Sequence, residues 1–139
     1  MLRLLKPNPQ SIYPMSYAFV FPGQGSQSTQ MLGELATQYP VIQQTFAEAS
    51  DVLGYNLAEL IQNNPNEQLS QTEYTQPAML AAGVAVWRLW EAQRVNQGMA
   101  APQVLAGHSL GEYTALVAAG SVGFADALRL VQLRGRAMQ

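Results

Sequence analysis

The sequence predicts an α/β fold on a parallel sheet. Three observations predict it. Two short β-prone apolar runs, residues 17–21 (YAFVF) and 103–106 (QVLA), stand at either end of a helix-patterned middle. Each run stops at a glycine-rich turn, Pro22-Gly23-Gln24-Gly25 after the first and Gly107-His108-Ser109-Leu110-Gly111 after the second. The second turn leads into an Ala-rich apolar segment of helical character. Two strands are too few for a complete sheet, so the chain reads as the front part of a larger domain.

Residues 1–16 carry three prolines and little pattern. They read as a disordered or loosely attached extension, with Met15 an equally good start of translation. Residues 17–139 form the domain part. The run 17–21 has the character of a buried parallel strand. Pro22, Gly23 and Gly25 then shape a loop with exposed backbone N–H groups. A short helix is expected over residues 31–39. Pro40 suits the first turn of the next one, where Ile42, Phe46, Ala49 and Leu53 recur as one apolar stripe and Gly54 is the C-cap. Leu57, Leu60 and Ile61 suggest another short helix before the loop Asn63-Asn64-Pro65-Asn66. Residues 67–73 are polar and expected to be irregular. Thr75-Gln76-Pro77 opens the most apolar helix, buried on most sides through Trp90, with Trp87 and Trp90 as core. The strand 103–106, the Ser109 turn and the Ala-rich helix follow, and Gly120 ends that helix. In the last helix Phe124, Ala127, Leu128, Val131 and Leu133 are the core candidates, while Asp126 early and Arg134 and Arg136 late agree with the helix dipole.

Composition narrows the classes of function. Only 12% of the 139 residues are charged and 48% are apolar, against about 25% charged in ordinary soluble domains. Such a surface-poor chain calls for cover by more chain or by a partner. The net charge of −2 and the lack of a basic block exclude a nucleic-acid partner. With no cysteine and one histidine, His108, the chain has no thiolate ligand and no His-based metal site. No cofactor is expected. No apolar run approaches the about 20 residues of a membrane span, so no membrane partner is expected. The absence of cysteine is compatible with a cytoplasmic protein.

Ser109 sits at the centre of G-x-S-x-G, the pattern of a nucleophile elbow between a strand and a helix. The glycines two before and two after it answer a steric need, because a side chain at either would collide with neighbouring backbone in so tight a turn. The turn also leaves backbone N–H groups at a helix N-terminus, where developing negative charge is stabilised. A second reading fits the same residues: Ser109-Leu110-Gly111-Glu112 matches the S-x-x-E capping box, which makes the serine a helix cap only. The Pro22–Gly25 loop has three readings of its own. It is an ordinary strand-to-helix turn, a weak phosphate cradle matching neither glycine-rich nucleotide motif, or a donor of an N–H to an oxyanion.

With FPGQGSQ, TQPAMLAAGVAVWRLW, GHSLGEYTALVAAG and FADALRLVQLRGRAMQ all present in this order, residues 17–139 resemble the malonyl-CoA:acyl-carrier-protein transacylase family of fatty-acid synthesis. The acyltransferase domains of polyketide synthases look similar. The resemblance implies an α/β-hydrolase-like parallel sheet with a nucleophile elbow, incomplete here, and a ferredoxin-like small subdomain that would begin soon after Gln139. It implies that Ser109 takes the malonyl group from malonyl-CoA as an acyl-serine ester and passes it to the phosphopantetheine thiol of acyl carrier protein. Gln24 and Leu110 match the backbone donors of the oxyanion hole. Arg134 matches the arginine that pairs with the free malonyl carboxylate, a task suited to a planar guanidinium fork. Gln76 matches a glutamine at the active site.

One departure from the family bears on activity. There a histidine from the second half of the chain activates the serine, whereas the single histidine here, His108, is next to the nucleophile, and adjacent side chains on an elbow point different ways. The 139 residues are therefore read as an N-terminal fragment, expected to be inactive or nearly so by itself. Two rival readings stand beside this one, an α/β-hydrolase-type esterase sharing G-x-S-x-G and a non-catalytic truncated chain.

Overall fold

The structure, a computed structural model, describes residues 16–139; the extension read over residues 1–16 and the alternative start at Met15 lie outside that range except for Ser16. The order of elements is β1 (Ala18–Phe21), α1 (Gly33–Gln38), α2 (Pro40–Leu53), α3 (Leu57–Asn63), a 3-10 segment (Pro65–Ser70), α4 (Thr72–Asn96), β2 (Val104–Gly107), α5 (Leu110–Ala118) and α6 (Phe124–Met138). The two strands pair in parallel, Ala18 opposite Val104 and Phe21 opposite Gly107. The α/β class and the parallel sheet therefore hold. The register brings the ends of both strands, and so both glycine-rich turns, to one edge of the sheet.

The helix α4 is the axis of the molecule. From Thr75 to Ala82 every one of its residues is buried, and α2, α5 and α6 all pack against it. That accounts for a segment apolar on nearly every side. Phe19 and Phe21 of β1 meet Trp87 edge-on, with ring centroids 5.2 and 6.3 Å apart, and Tyr17 meets Trp90 at 5.8 Å. The two tryptophans are thus the cushion between sheet and helix. Arg88 ties α4 to α2 and α6: it bonds Thr45 Oγ1 at 3.2 Å and Glu48 at 2.6 Å, and its guanidinium lies 4.9 Å from the Phe124 ring centre.

Several element bounds depart from the sequence expectations. The segment 67–73 is irregular only at its start: Asn66 and Glu67 kink the 3-10 segment with left-handed φ of 52° and 56°, and α4 begins at Thr72 rather than at Thr75. Pro77 therefore lies inside the helix, where its ring forfeits only the bond to the Glu73 carbonyl, near enough to the helix start for the ladder to absorb it. Leu133 is 64% exposed and does not belong to the core. The buried stripe of α6 runs Phe124, Ala127, Leu128, Val131 and then Gly135, so the helical period skips residue 133. Ile42, Phe46 and Ala49 of α2 are buried as expected, and Gly54 caps the helix at φ 79°.

Large apolar side chains remain exposed on one face of the sheet, with Val20 at 67% and Val104 at 54%, and on the outer side of α6 at Leu130 and Leu133. This is the surface expected from a chain so poor in charge.

Candidate active site

The strand β2 ends at Gly107 and α5 begins at Leu110, so His108 and Ser109 make the whole connection. Ser109 has φ 53° and ψ −111°, a backbone conformation costly for any residue with a side chain. Steric closeness enforces it. A Cβ on Gly107 would lie 2.1 Å from the carbonyl carbon of Gly111, and a Cβ on Gly111 would lie 2.2 Å from the carbonyl oxygen of Phe21. Strand, turn and helix can approach this closely only with hydrogen at both positions, which is the need the glycine spacing expressed. The capping-box reading fails here. With this backbone the Ser109 side chain makes no cap hydrogen bond, and its hydroxyl is engaged elsewhere.

That partner comes from α6. Arg134 Nη2 donates to Ser109 Oγ at 3.1 Å, and Arg134 Nη1 donates to Gln76 Oε1 at 3.0 Å. Gln76 is fully buried, and a buried amide needs partners for both ends. Its oxygen takes Arg134 and its nitrogen donates to Met138 Sδ at 3.2 Å. The position of α6 is set by Gly135, where a Cβ would lie 2.7 Å from the Thr72 carbonyl oxygen, and by an ion pair of Arg136 with Glu73 at 3.2 Å. The helix thus meets the start of α4 backbone to backbone, and the side chain next to Gly135 is delivered to the serine. Tyr113 completes the surroundings, with the Arg134 guanidinium carbon 5.4 Å from its ring centre. The sequence reading did not single out Tyr113. Its signal was its place in the first turn of the helix that follows Ser109.

The remaining candidates gather at the same edge. Gln24 Nε2 donates to Thr72 Oγ1 at 3.3 Å, which links the first loop to the start of α4. The Gly25 N–H donates to Gln27 Oε1 at 2.7 Å, which removes it from contention as an oxyanion donor. At the start of α5 the Gly111 and Glu112 amides donate to the His108 and Ser109 carbonyls at 2.9 and 3.1 Å. The Leu110 amide is therefore the candidate donor of that turn, since first-turn amides lack intrahelical acceptors. His108 lies against the first loop: a Cβ on Gly23 would be 2.7 Å from its carbonyl oxygen and 3.3 Å from its Nδ1. Among the described residues no group of His, Asp and Glu side chains is placed to hold a metal ion. A groove of about 640 Å³ among α1, α2 and α3 is lined by none of the residues at this edge.

At this edge, then, a serine on a strained strand-to-helix turn is faced by an arginine. The family model described as acyl transferase domain matches residues 18–139. The chain belongs to the acyl transferase domain family. Its resemblance to known acyl transferases is close at both levels. It is 58% identical over 123 residues to the malonyl CoA-acyl carrier protein transacylase of Salmonella typhimurium, covering 88% of this chain and 38% of that one. It overlays an acyl carrier protein S-malonyltransferase from Vibrio cholerae with a TM-score of 0.83 at 58% identity, covering 90% of this chain and 40% of that one. A malonyl-transacylase in complex with a type II polyketide synthase acyl-carrier protein overlays equally, with a TM-score of 0.83 at 58% identity, covering 90% and 39%. The chain thus spans about 38% of the length of the curated relative it matches. No helix of the described residues is long and apolar enough to cross a membrane.

Proposed function

We propose that this acyl transferase chain carries the nucleophile and the carboxylate-binding side of a malonyl-CoA:acyl-carrier-protein transacylase acting in the cytoplasm. The observation that carries the proposal is the Arg134 guanidinium 3.1 Å from the Ser109 hydroxyl. In the first half-reaction Ser109 Oγ attacks the thioester carbonyl of malonyl-CoA. Its proton leaves to a base, the C–S bond breaks, and coenzyme A departs as the thiol. In the second, the phosphopantetheine thiol of acyl carrier protein attacks the acyl-serine carbonyl and Ser109 recovers its proton. The strand-turn-helix around Ser109 acts as the nucleophile elbow, and the Gln24 and Leu110 amides stabilise the oxyanion of both tetrahedral intermediates.

The free carboxylate decides the substrate. One methylene separates it from the acyl carbon, so on the ester it lies beside Oγ, where Arg134 already is. Gln76 keeps one edge of the guanidinium engaged and the fork oriented. An esterase for neutral acyl groups has no use for a cation there, because an unpaired guanidinium beside an apolar acyl chain is a cost. The base is to be sought outside this site: the one histidine of the sequence, His108, rests on Gly23. The 139 residues alone therefore perform at most slow acylation.

The test is intact mass after exposure of the full-length enzyme to malonyl-CoA. A malonyl adduct on Ser109 is expected, absent in Ser109→Ala. In Arg134→Ala the use of malonyl-CoA is expected to fall by about 2–5 kcal/mol in activation free energy, with acetyl-CoA use little changed. No adduct, or equal losses for both thioesters, sinks the proposal.

A further inference from the structure

Arg134 is held by more than hydrogen bonds. Its Nη1 and Nη2 groups point at Gln76 and Ser109, yet two in-plane contacts at one end leave a guanidinium free to tilt about the line joining them. The ring of Tyr113, with its centre 5.4 Å from the guanidinium carbon, supplies the missing restraint. We infer that Tyr113 is a positioning residue that fixes the tilt of Arg134 and so sets the preference for a carboxylate-bearing acyl group. The inference rests on the transacylase reading above.

The chemistry favours an aromatic ring for this task. A cation within about 6 Å of a ring centre is attracted by the ring's quadrupole. The ring contributes that attraction without accepting an N–H, so the donors that Gln76 does not hold stay available for a carboxylate. A carboxylate or amide at the same place would engage one of those donors and compete with the substrate. The placement is also economical in sequence. Tyr113 lies in the first turn of α5, four residues after Ser109, which stands immediately before the helix. The helix whose start carries the nucleophile therefore also carries the platform for the arginine, and the two move together.

The test compares Tyr113→Leu and Tyr113→Phe in the full-length enzyme, each with malonyl-CoA and with acetyl-CoA. Tyr113→Leu removes the ring and keeps an apolar side chain. It is expected to raise KM for malonyl-CoA by about 3- to 30-fold, with kcat and acetyl transfer little changed. Tyr113→Phe keeps the ring and is expected to restore the malonyl preference. In an Arg134→Ala background Tyr113→Leu is expected to add nothing, as for two residues acting through one contact. Equal losses with both thioesters, equal effects of Leu and Phe, no effect of Leu, or a full further loss without Arg134 would each overturn the inference while leaving the transacylase reading in place. A wild-type enzyme that takes no malonyl group overturns that reading, and this inference with it.

Discussion

Gly107 and Gly111 approach each other across the Ser109 turn until a Cβ on the first would sit 2.1 Å from the carbonyl carbon of the second. The obstacle is backbone, which cannot swing aside as a flexible side chain can. Gly107→Ala is therefore expected to cost about 3 kcal/mol or more, at the upper end of overpacking, because β2 or α5 must move to admit one methyl group. Gly111→Ala meets the Phe21 carbonyl oxygen at 2.2 Å and is expected to behave alike. Urea denaturation of the two variants checks this, and a loss under 1 kcal/mol would show that the turn has slack.

Ser109 separates function from stability in a way a capping serine does not. At φ 53° and ψ −111° the residue stores about 1–3 kcal/mol of backbone strain. Glycine relieves it at an entropic cost of about 0.5–1 kcal/mol. Both Ser109→Gly and Ser109→Ala lose the acyl adduct and the bond from Arg134 at 3.1 Å, so Ser109→Gly is expected to be as stable as Ser109→Ala or more so, by up to about 2 kcal/mol. Ser109→Ala keeps the strain and removes no cap bond; it is expected to cost about 0.5–1.5 kcal/mol in the wild type and nothing in an Arg134→Ala background. A cap predicts a loss of about 1 kcal/mol in either background, and thermal melts of these variants decide between the two.

Much of this site is legible in the sequence because its parts are local. The glycines around Ser109 express a steric need within five residues, and the strand before and helix after it announce themselves by composition. The gathering of Gln24, Gln76 and Arg134 is not local. It depends on parallel pairing of β1 with β2 and on α6 lying against α4, contacts that no periodicity encodes, so the resemblance to a family supplied what spacing did not. Leu133 shows the limit from the other side. Apolar character alone placed it in the core, whereas the phase of α6, fixed by the contact of Gly135 with Thr72, turns residue 133 outward. The early start of α4 was hidden because polar Thr72 and Glu73 carry no apolar signal, although they hold Gln24 and Arg136.

Under the transacylase proposal, the contact of Gly135 with Thr72 makes Gly135 a distant determinant of acyl choice. A methyl group there would meet the Thr72 carbonyl oxygen at 2.7 Å and Glu73 Cα at 2.8 Å, so α6 must retreat from α4, and Arg134 retreats with it. Gly135→Ala is expected to lower kcat/KM for malonyl-CoA by about 10- to 100-fold, the scale of a misplacement near 1 Å. Acetyl transfer, which has no carboxylate for Arg134 to hold, is expected to fall far less. Paired kinetics with the two thioesters read the ratio directly. An unchanged ratio would mean that Arg134 follows the serine whatever α6 does.

Tyr55 gives the fold a dependence on alkaline pH. Its hydroxyl is buried with no hydrogen-bond partner among the described residues, and its ring meets Tyr74 edge-on with centroids 5.4 Å apart. Burial pushes the phenol well above its ordinary value, Tyr74 and Glu73 push it further the same way, and Arg136 opposes them. The sign follows from where the proton is held. Above about pH 10 the unfolded chain releases the Tyr55 proton while the folded chain retains it, so the unfolded state binds fewer protons and stability falls as pH rises. Below pH 10 both states keep the proton and the group has no effect on the slope. Six tyrosines are present, so the total alkaline loss is not due to Tyr55 alone; the difference between wild type and Tyr55→Phe isolates it. At pH 7 the variant is expected to match or slightly exceed the wild type, because it removes a buried hydroxyl without a partner. At pH 11 its advantage is expected to grow by up to about 1 kcal/mol, near the limit for one proton per pH unit. Denaturation at the two pH values measures both terms, and an advantage that does not grow with pH would show that the phenol ionises in the folded protein as freely as in the unfolded one.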